Sequence, residues 1–310
     1  MPEPVGLNWA RIVRPNLFIV GAPKCGTTAW YEYLRDHPDI FLPERKEPHY
    51  FCTDFPNQRR VRTEKDYLEL FSGVASESIV GEASASYLYS KEAARNLREF
   101  APDAKILIFV RDRPGFLFSW HNQLLNNGVE NRPDFEEAWR LSGRRAPDDH
   151  GPACDEKSFL DYRAIGYLGE QVDRFFRQFP TNQIRVFGYD DWRRDPRATY
   201  CEIMRFLALR DDGRKEFARV NEARATRWQP LSLFLRHPPR ILSALYRRTR
   251  RAIGLNAAPL GRVIARLNSK RGYRAQMSDG LREEIERFFA ADDDMLQPRI
   301  WRSADDRSSV

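Results

Sequence analysis

Cysteine is scarce in this 310-residue chain. The four present, Cys25, Cys52, Cys154 and Cys201, lie far apart. No C-x-x-C pair and no disulfide framework occurs, so a reducing cytoplasmic setting is expected and a structural zinc is not. Long apolar runs are missing as well. No window approaches about 18 consecutive apolar residues, the length needed to span a membrane. The opening segment MPEPVGLNWARIVRP has no apolar core, so no secretory signal is expected in it. Internal repeats and low-complexity tracts are also lacking. What remains is core-forming: hydrophobic residues are 42 % and aromatics 13 %, which excludes a disordered or collagen-like chain.

Acidic residues are missing from one long stretch. Residues 231–274 contain 11 Arg or Lys and no Asp or Glu, against a net charge of +7 for the whole chain. The remainder is therefore slightly acidic, and the basic character is local. The run LSLFLRHPPRILSALYRRTRRAIGL mixes apolar residues with arginines. Contact with an anionic membrane surface through 231–254 is one reading of it. A helix packed on the core with a solvated basic face is favoured, because Pro238 and Pro239 interrupt the amphipathic run. A third reading places it beside an acidic acceptor. A nucleic-acid partner is not expected, since aromatic and basic residues do not interleave on a strand and no recognition motif occurs.

The apolar runs that do occur are short. LFIV (residues 17–20), SIVGEAS (78–84), KILIFV (105–110) and QIRVFGY (183–189) read as strands. Three of them lack polar alternation, as strands buried on both faces do. Helical patterns follow them: AWYEYLRDHP, FLFSWHNQLL after Pro114, DYRAIGYLGEQVDRFFRQFP, and TYCEIMRFLAL. Alternation of this kind predicts an α/β fold with a central parallel β-sheet flanked by helices on both faces. Strand signals stop after residue 211, and Ser278 is the expected cap of a last helix, SDGLREEIERFFA. A single domain over 12–305 is expected. It would carry a basic helical segment at 229–262 and a mobile, turn-rich loop near 140–158.

The chemistry concentrates where strands meet helices. Gly21 and Gly26 have the G-x4-G spacing of a phosphate-binding loop between strand and helix. Lysine does not follow Gly26 as a magnesium-nucleotide loop requires; Thr27 and Thr28 do, and Lys24 lies inside the loop. Arg111 directly follows the strand 105–110, and Ser119 lies eight residues on. An arginine there can grip a phosphate with two hydrogen bonds. A P-loop kinase or other nucleotide-binding protein is an alternative, opposed by Thr27 after Gly26 and by Arg111 where a magnesium-binding Asp would stand. A basic nucleic-acid-binding protein is a second alternative.

Taken together, GAPKCGTTAWYEYL and the stretch from Arg111 to Ser119 resemble sulfotransferases that use 3′-phosphoadenosine 5′-phosphosulfate (PAPS). HPDIFLPERKEPHYF is similar to the K-E-x-H-F-F segment of their glycan-sulfating branch. SKRGYR resembles the loop that closes over the nucleotide. The resemblance implies a P-loop NTPase-like sulfotransferase fold. It implies PAPS as sulfuryl donor, adenosine 3′,5′-bisphosphate as product, and no metal. Lys24, Cys25, Gly26, Thr27 and Thr28 would bind the 5′-phosphosulfate, and Arg111 and Ser119 the 3′-phosphate. Lys270, Arg271, Gly272, Tyr273 and Arg274 would border the nucleotide. Glu47 would be the base, with Lys24 and His49 completing the catalytic set. Glu82 and Ser84 would contact a glycan or small-molecule acceptor. Two departures stand out: Phe116 replaces an arginine near the 3′-phosphate site. Ala83 stands where the branch's E-K-T-P-S-Y segment carries a substrate-contacting lysine.

Overall fold

A computed structural model describes residues 13–218 and 277–302, with the backbone of two short strands at 224–226 and 269–271. The basic segment 229–262, including 231–254, and the candidates Gly272, Tyr273 and Arg274 lie outside the described residues. The chain forms two compact units.

The first unit is built on a six-stranded sheet. Its strands are β1 (Leu17–Gly21), β2 (Ile40–Phe41), β3 (Ile79–Ala83), β4 (Lys105–Val110), β5 (Ile184–Gly188) and β8 (Ile300–Trp301), in the order β2-β3-β1-β4-β5-β8. Every pairing is parallel, as the alternating pattern predicts. The unbroken apolar runs have the expected cause, because β1 is buried at all five positions and β4 at all but Lys105. Helices α1 (Thr27–Arg35), α2 (Glu64–Glu69), α3 (Ala93–Phe100), α7 (Leu168–Gln178), α8 (Tyr189–Arg194) and α9 (Pro196–Phe206) belong to this unit. Trp30 of α1 stacks on Phe109 of β4, which stacks on Phe187 of β5. Phe51 and Tyr67 form a second aromatic cluster with Phe18 of β1 and Phe100 of α3.

Two short strands depart from expectation. β8 joins the sheet beside β5, pairing Val186 with Ile300, although strand signals end near residue 211. At two residues, β2 and β8 are too short to show any periodicity. The pattern over 162–178 also breaks in two, α6 (Tyr162–Gly166) and α7, at Tyr167, whose ψ of 66° is not helical.

Helix α4 (Arg113–Asn127) begins in the first unit and continues into the second. The second unit also contains α5 (Phe135–Arg140), the antiparallel strands β6 (Arg224–Thr226) and β7 (Ser269–Arg271), and α10 (Asp279–Phe288). Ser278 caps α10 as expected, accepting from the Leu281 N–H at 3.3 Å. The segment 140–158 is irregular but tethered. Arg145 meets the buried Glu130 at 2.6 Å, the Tyr162 hydroxyl donates to the same carboxylate at 2.6 Å, and Arg132 pairs with Asp149 at 2.9 Å.

Candidate active site

The C-terminal ends of the parallel strands are where such sheets bind ligands, and the loops after β1, β2, β3 and β4 hold the first unit's candidates. The loop after β1 turns into α1 through Gly26, whose φ of 96° lies in the left-handed region. A Cβ on Gly26 would sit 2.2 Å from the Trp192 ring, so only glycine fits. Trp192, on α8, donates its indole N–H to the Cys25 carbonyl at 3.3 Å and so fixes the loop from the β5 side. No side chain caps α1 and its first turn holds no acid, so its amides and dipole are left to attract an anion.

Lys24 stands in this loop with a positive φ of 65°. Burial pushes its ammonium below the usual lysine range; the thiolate form of Cys25 and the Glu47 carboxylate oppose that shift, and Arg111 reinforces it. Its ammonium makes no hydrogen bond among the described residues. The Cys25 thiol is fully buried, donates to the Pro23 carbonyl at 3.4 Å and is pushed up to about 12 by burial. Cys25 therefore contributes to the loop through its backbone, with its thiol turned into the core. Arg111 directly follows β4, lies 4.4 Å over the Tyr189 ring and bonds Asp112 through Nε at 3.2 Å. Its two terminal nitrogens make no hydrogen bond among the described residues. Asp112 in turn caps α4, accepting from the Gly115 N–H at 2.8 Å. Phe116 is fully buried, so position 116 cannot help hold an anion. Ser119 lies further along α4, and Lys270 and Arg271 on β7, all in the second unit.

The loop after β2 is tied to the same edge by the Glu47 N–H, which donates to the Ala83 carbonyl at 3.0 Å. It brings three groups around the Glu47 carboxylate: Lys46 and His49 at 3.9 Å and Arg60 at 4.0 Å. None is a hydrogen bond, so among the described residues the carboxylate is free to accept one. Lys46 donates to Thr28 at 2.8 Å and, more weakly, to Thr27 at 3.5 Å. This lysine joins the base candidate to the donor loop. The sequence alone assigned it no role.

His49 is neutral at pH 7, because burial pushes it down to about 4. Its backbone N–H donates to Ser84 Oγ at 3.1 Å. Ser84 in turn donates to Glu82 at 2.9 Å, and Tyr87 and Tyr67 donate to the other Glu82 oxygen at 2.7 and 3.2 Å. Glu82 is only 1 % exposed, and burial raises its carboxyl to about 7 against the pull of these three hydroxyls. The expected acceptor contact by Glu82 and Ser84 is thus replaced by a supporting one: both are enclosed, and together they hold the backbone of His49. Tyr67, Tyr87 and Trp192 went unnoticed in the sequence, where each is one aromatic among many.

A strand, an uncapped glycine turn bearing lysine, and a helix lie beside a carboxylate held at the sheet edge. That geometry agrees with the family comparison, in which residues 14–221 match the sulfotransferase domain model. The chain belongs to the sulfotransferase domain family. The solved sulfotransferase of Alicyclobacillus acidocaldarius is 28 % identical, with a TM-score of 0.68 over 95 % of this chain and 98 % of that one. Heparan sulfate glucosamine 3-O-sulfotransferase 6 of Homo sapiens is 28 % identical over 196 residues, 63 % of this chain and 53 % of that protein. The bifunctional heparan sulfate N-deacetylase/N-sulfotransferase 4 of Mus musculus is 27 % identical over 203 residues, 63 % of this chain and 22 % of that protein. The match thus spans about a fifth to a half of these curated relatives. Family membership bears out the expected fold and its P-loop-like sheet.

Proposed function

We propose that this protein moves a sulfuryl group from PAPS to a hydroxyl or amine acceptor on a carbohydrate or glycosylated small molecule, in a cytoplasmic setting. One observation carries the reading: a hydrogen-bond-free carboxylate, Glu47, faces Lys46, which donates to the threonines at the uncapped N-terminus of α1. The residues fit such a donor. Amides of Gly26, Thr27 and Thr28, with the Lys24 ammonium, suit a 5′-phosphosulfate. The terminal nitrogens of Arg111, unbonded among the described residues, suit a 3′-phosphate, and Ser119, Lys270 and Arg271 keep the nucleotide-binding role that the resemblance implies. Bound there, PAPS supplies an activated sulfuryl group on a phosphate leaving group.

The protein's own part is positioning and charge. Lys24 and the loop amides stabilise negative charge growing on the leaving phosphate oxygen. Glu47 takes the proton from the attacking acceptor atom, a contribution of about 10²–10⁴-fold. His49, neutral and enclosed, orients the loop and does not take the proton. Ser84 and Glu82 fix that loop's backbone from beneath. The glycan acceptor is supported by the heparan sulfate named in two relatives, and the cytoplasmic setting by four unpaired thiols.

Calorimetry with adenosine 3′,5′-bisphosphate against ATP–magnesium tests the reading. The bisphosphate binds wild type, Lys24→Ala loses it, and Glu47→Gln keeps it while losing transfer from labelled PAPS. Tight ATP–magnesium binding with no response to the bisphosphate would replace this reading with a kinase.

A further inference from the structure

The donor loop already contains one lysine, and a second reaches it from the loop after β2. Lys46 lies next to Glu47 in sequence, yet its ammonium turns towards Thr28 and Thr27. The side chain is mostly enclosed, with 17 % of it exposed, against 33 % for Glu47. This is an unusual place for a cation. The N-terminus of a helix carries partial positive charge, and α1 has no acid in its first turn to offset it. The Glu47 oxygen at 3.9 Å is beyond hydrogen-bond reach. Three N–H donors are available on the ammonium, and two neutral hydroxyls engage it. Glu47, Glu32 and Glu82 oppose the desolvation of this ammonium and the Tyr31 ring lies 5.8 Å from it, yet only the two hydroxyls hydrogen-bond it, so one N–H donor is left to meet an anion placed between the hydroxyls and the Glu47 carboxylate.

The two sides of Lys46 identify that anion. On one side are the threonines of the donor loop. On the other is the group assigned to take the acceptor's proton. In a displacement, the transferring group lies between the leaving oxygen and the attacking atom. We propose that Lys46 is a further catalytic residue, one that binds the non-bridging oxygens of the sulfuryl group. This rests on the sulfotransferase reading above. A second feature of this chain supports it. Ala83 occupies the place where the similar glycan-sulfating segment carries a lysine, and the Ala83 carbonyl holds the Glu47 N–H. Lys46 delivers a cation to that sheet edge from the neighbouring loop.

The test compares two nucleotides that differ by the sulfuryl group. Calorimetry on the full chain measures PAPS and adenosine 3′,5′-bisphosphate with wild type, Lys46→Met, Lys46→Gln and Lys46→Arg. Removing a charged hydrogen bond weakens PAPS binding by about 10–100-fold, while bisphosphate affinity stays within about threefold. Lys46→Arg recovers most of the PAPS preference. Lys46→Gln can still donate to Thr28, so it keeps the loop joined if Lys46→Met fails to fold, and it too loses the preference. An unchanged ratio of the two affinities in folded Lys46→Gln or Lys46→Met overturns the assignment. A wild-type protein that binds neither nucleotide overturns the sulfotransferase reading along with it.

Discussion

Replacing Glu82 by glutamine isolates a buried proton. Glu82 is enclosed, and its carboxyl rises from 4.5 to about 7, chiefly through burial. Below pH 4.5 the group is protonated in both folded and unfolded chains and makes no difference. Between 4.5 and 7 the unfolded chain releases the proton and the folded chain retains it. The unfolded state then binds fewer protons, so stability falls as pH rises. At ~1.4 kcal/mol per unit, the loss reaches about 3 kcal/mol by pH 7. Glutamine has nearly the same shape and still accepts from Tyr67 and Tyr87. Its amide meets Ser84, which costs a fixed amount independent of pH. The stability of Glu82→Gln relative to wild type therefore climbs by about 3 kcal/mol between pH 4.5 and 7.5. His49 sharpens the expectation. Its fall from 6.5 to about 4 has the opposite sign, with stability present above 6.5 and lost as pH drops through 4. In wild type the two slopes largely cancel between 4.5 and 6.5; in Glu82→Gln the His49 slope stands alone. Urea midpoints taken at half-unit steps of pH measure both. A difference between variant and wild type that does not change with pH refutes the reasoning.

Gly26→Ala meets both a left-handed φ and the Trp192 ring at 2.2 Å. It lowers stability by about 2–4 kcal/mol, from the backbone and overpacking costs together, and bisphosphate affinity falls with it, as thermal melts and calorimetry will show. Glu130→Gln leaves the Arg145 guanidinium buried without its carboxylate. A loss of about 3–5 kcal/mol follows, read as a lower melting midpoint and faster proteolysis within 140–158.

The sheet was legible where its strands are long. β1 and β4 are covered on both faces, so their sequences contain nothing but apolar residues for four or five positions. The donor loop was legible for a related reason: its glycines, lysine and threonines are contiguous, so one turn of chain contains the whole anion site. Glu47 was legible only through the resemblance of its segment. What brings it to the edge is the bond of its N–H to the Ala83 carbonyl, supported by the His49 N–H bond to Ser84; both join residues far apart in the chain, and no local pattern records them. Glu82, expected from the resemblance to contact the acceptor, is instead enclosed. Its burial depends on three hydroxyls, from Tyr67, Ser84 and Tyr87, that converge only after folding.

The backbone shows what the buried network is for. Among the described residues, four non-glycine residues have positive φ: Lys24, Glu47, His49 and Ala208. Two of them, Lys24 and Glu47, are assigned to the chemistry, and a third, His49, orients the Glu47 loop. Such conformations each cost about 1–3 kcal/mol and persist only where the surroundings enforce them. The enforcing contacts can be named. Trp192 braces the Lys24 loop through the Cys25 carbonyl, Ala83 holds the Glu47 amide, and Ser84, itself fixed by Glu82, holds the His49 amide. Two of these three contacts come from the end of β3, a strand that touches no proposed ligand. Strand β3 therefore sets the Glu47 carboxylate relative to the donor loop on β1, its parallel neighbour in the sheet. Because the two loops are fixed to adjacent strands, their spacing is set by the sheet itself, which is the least deformable part of this fold.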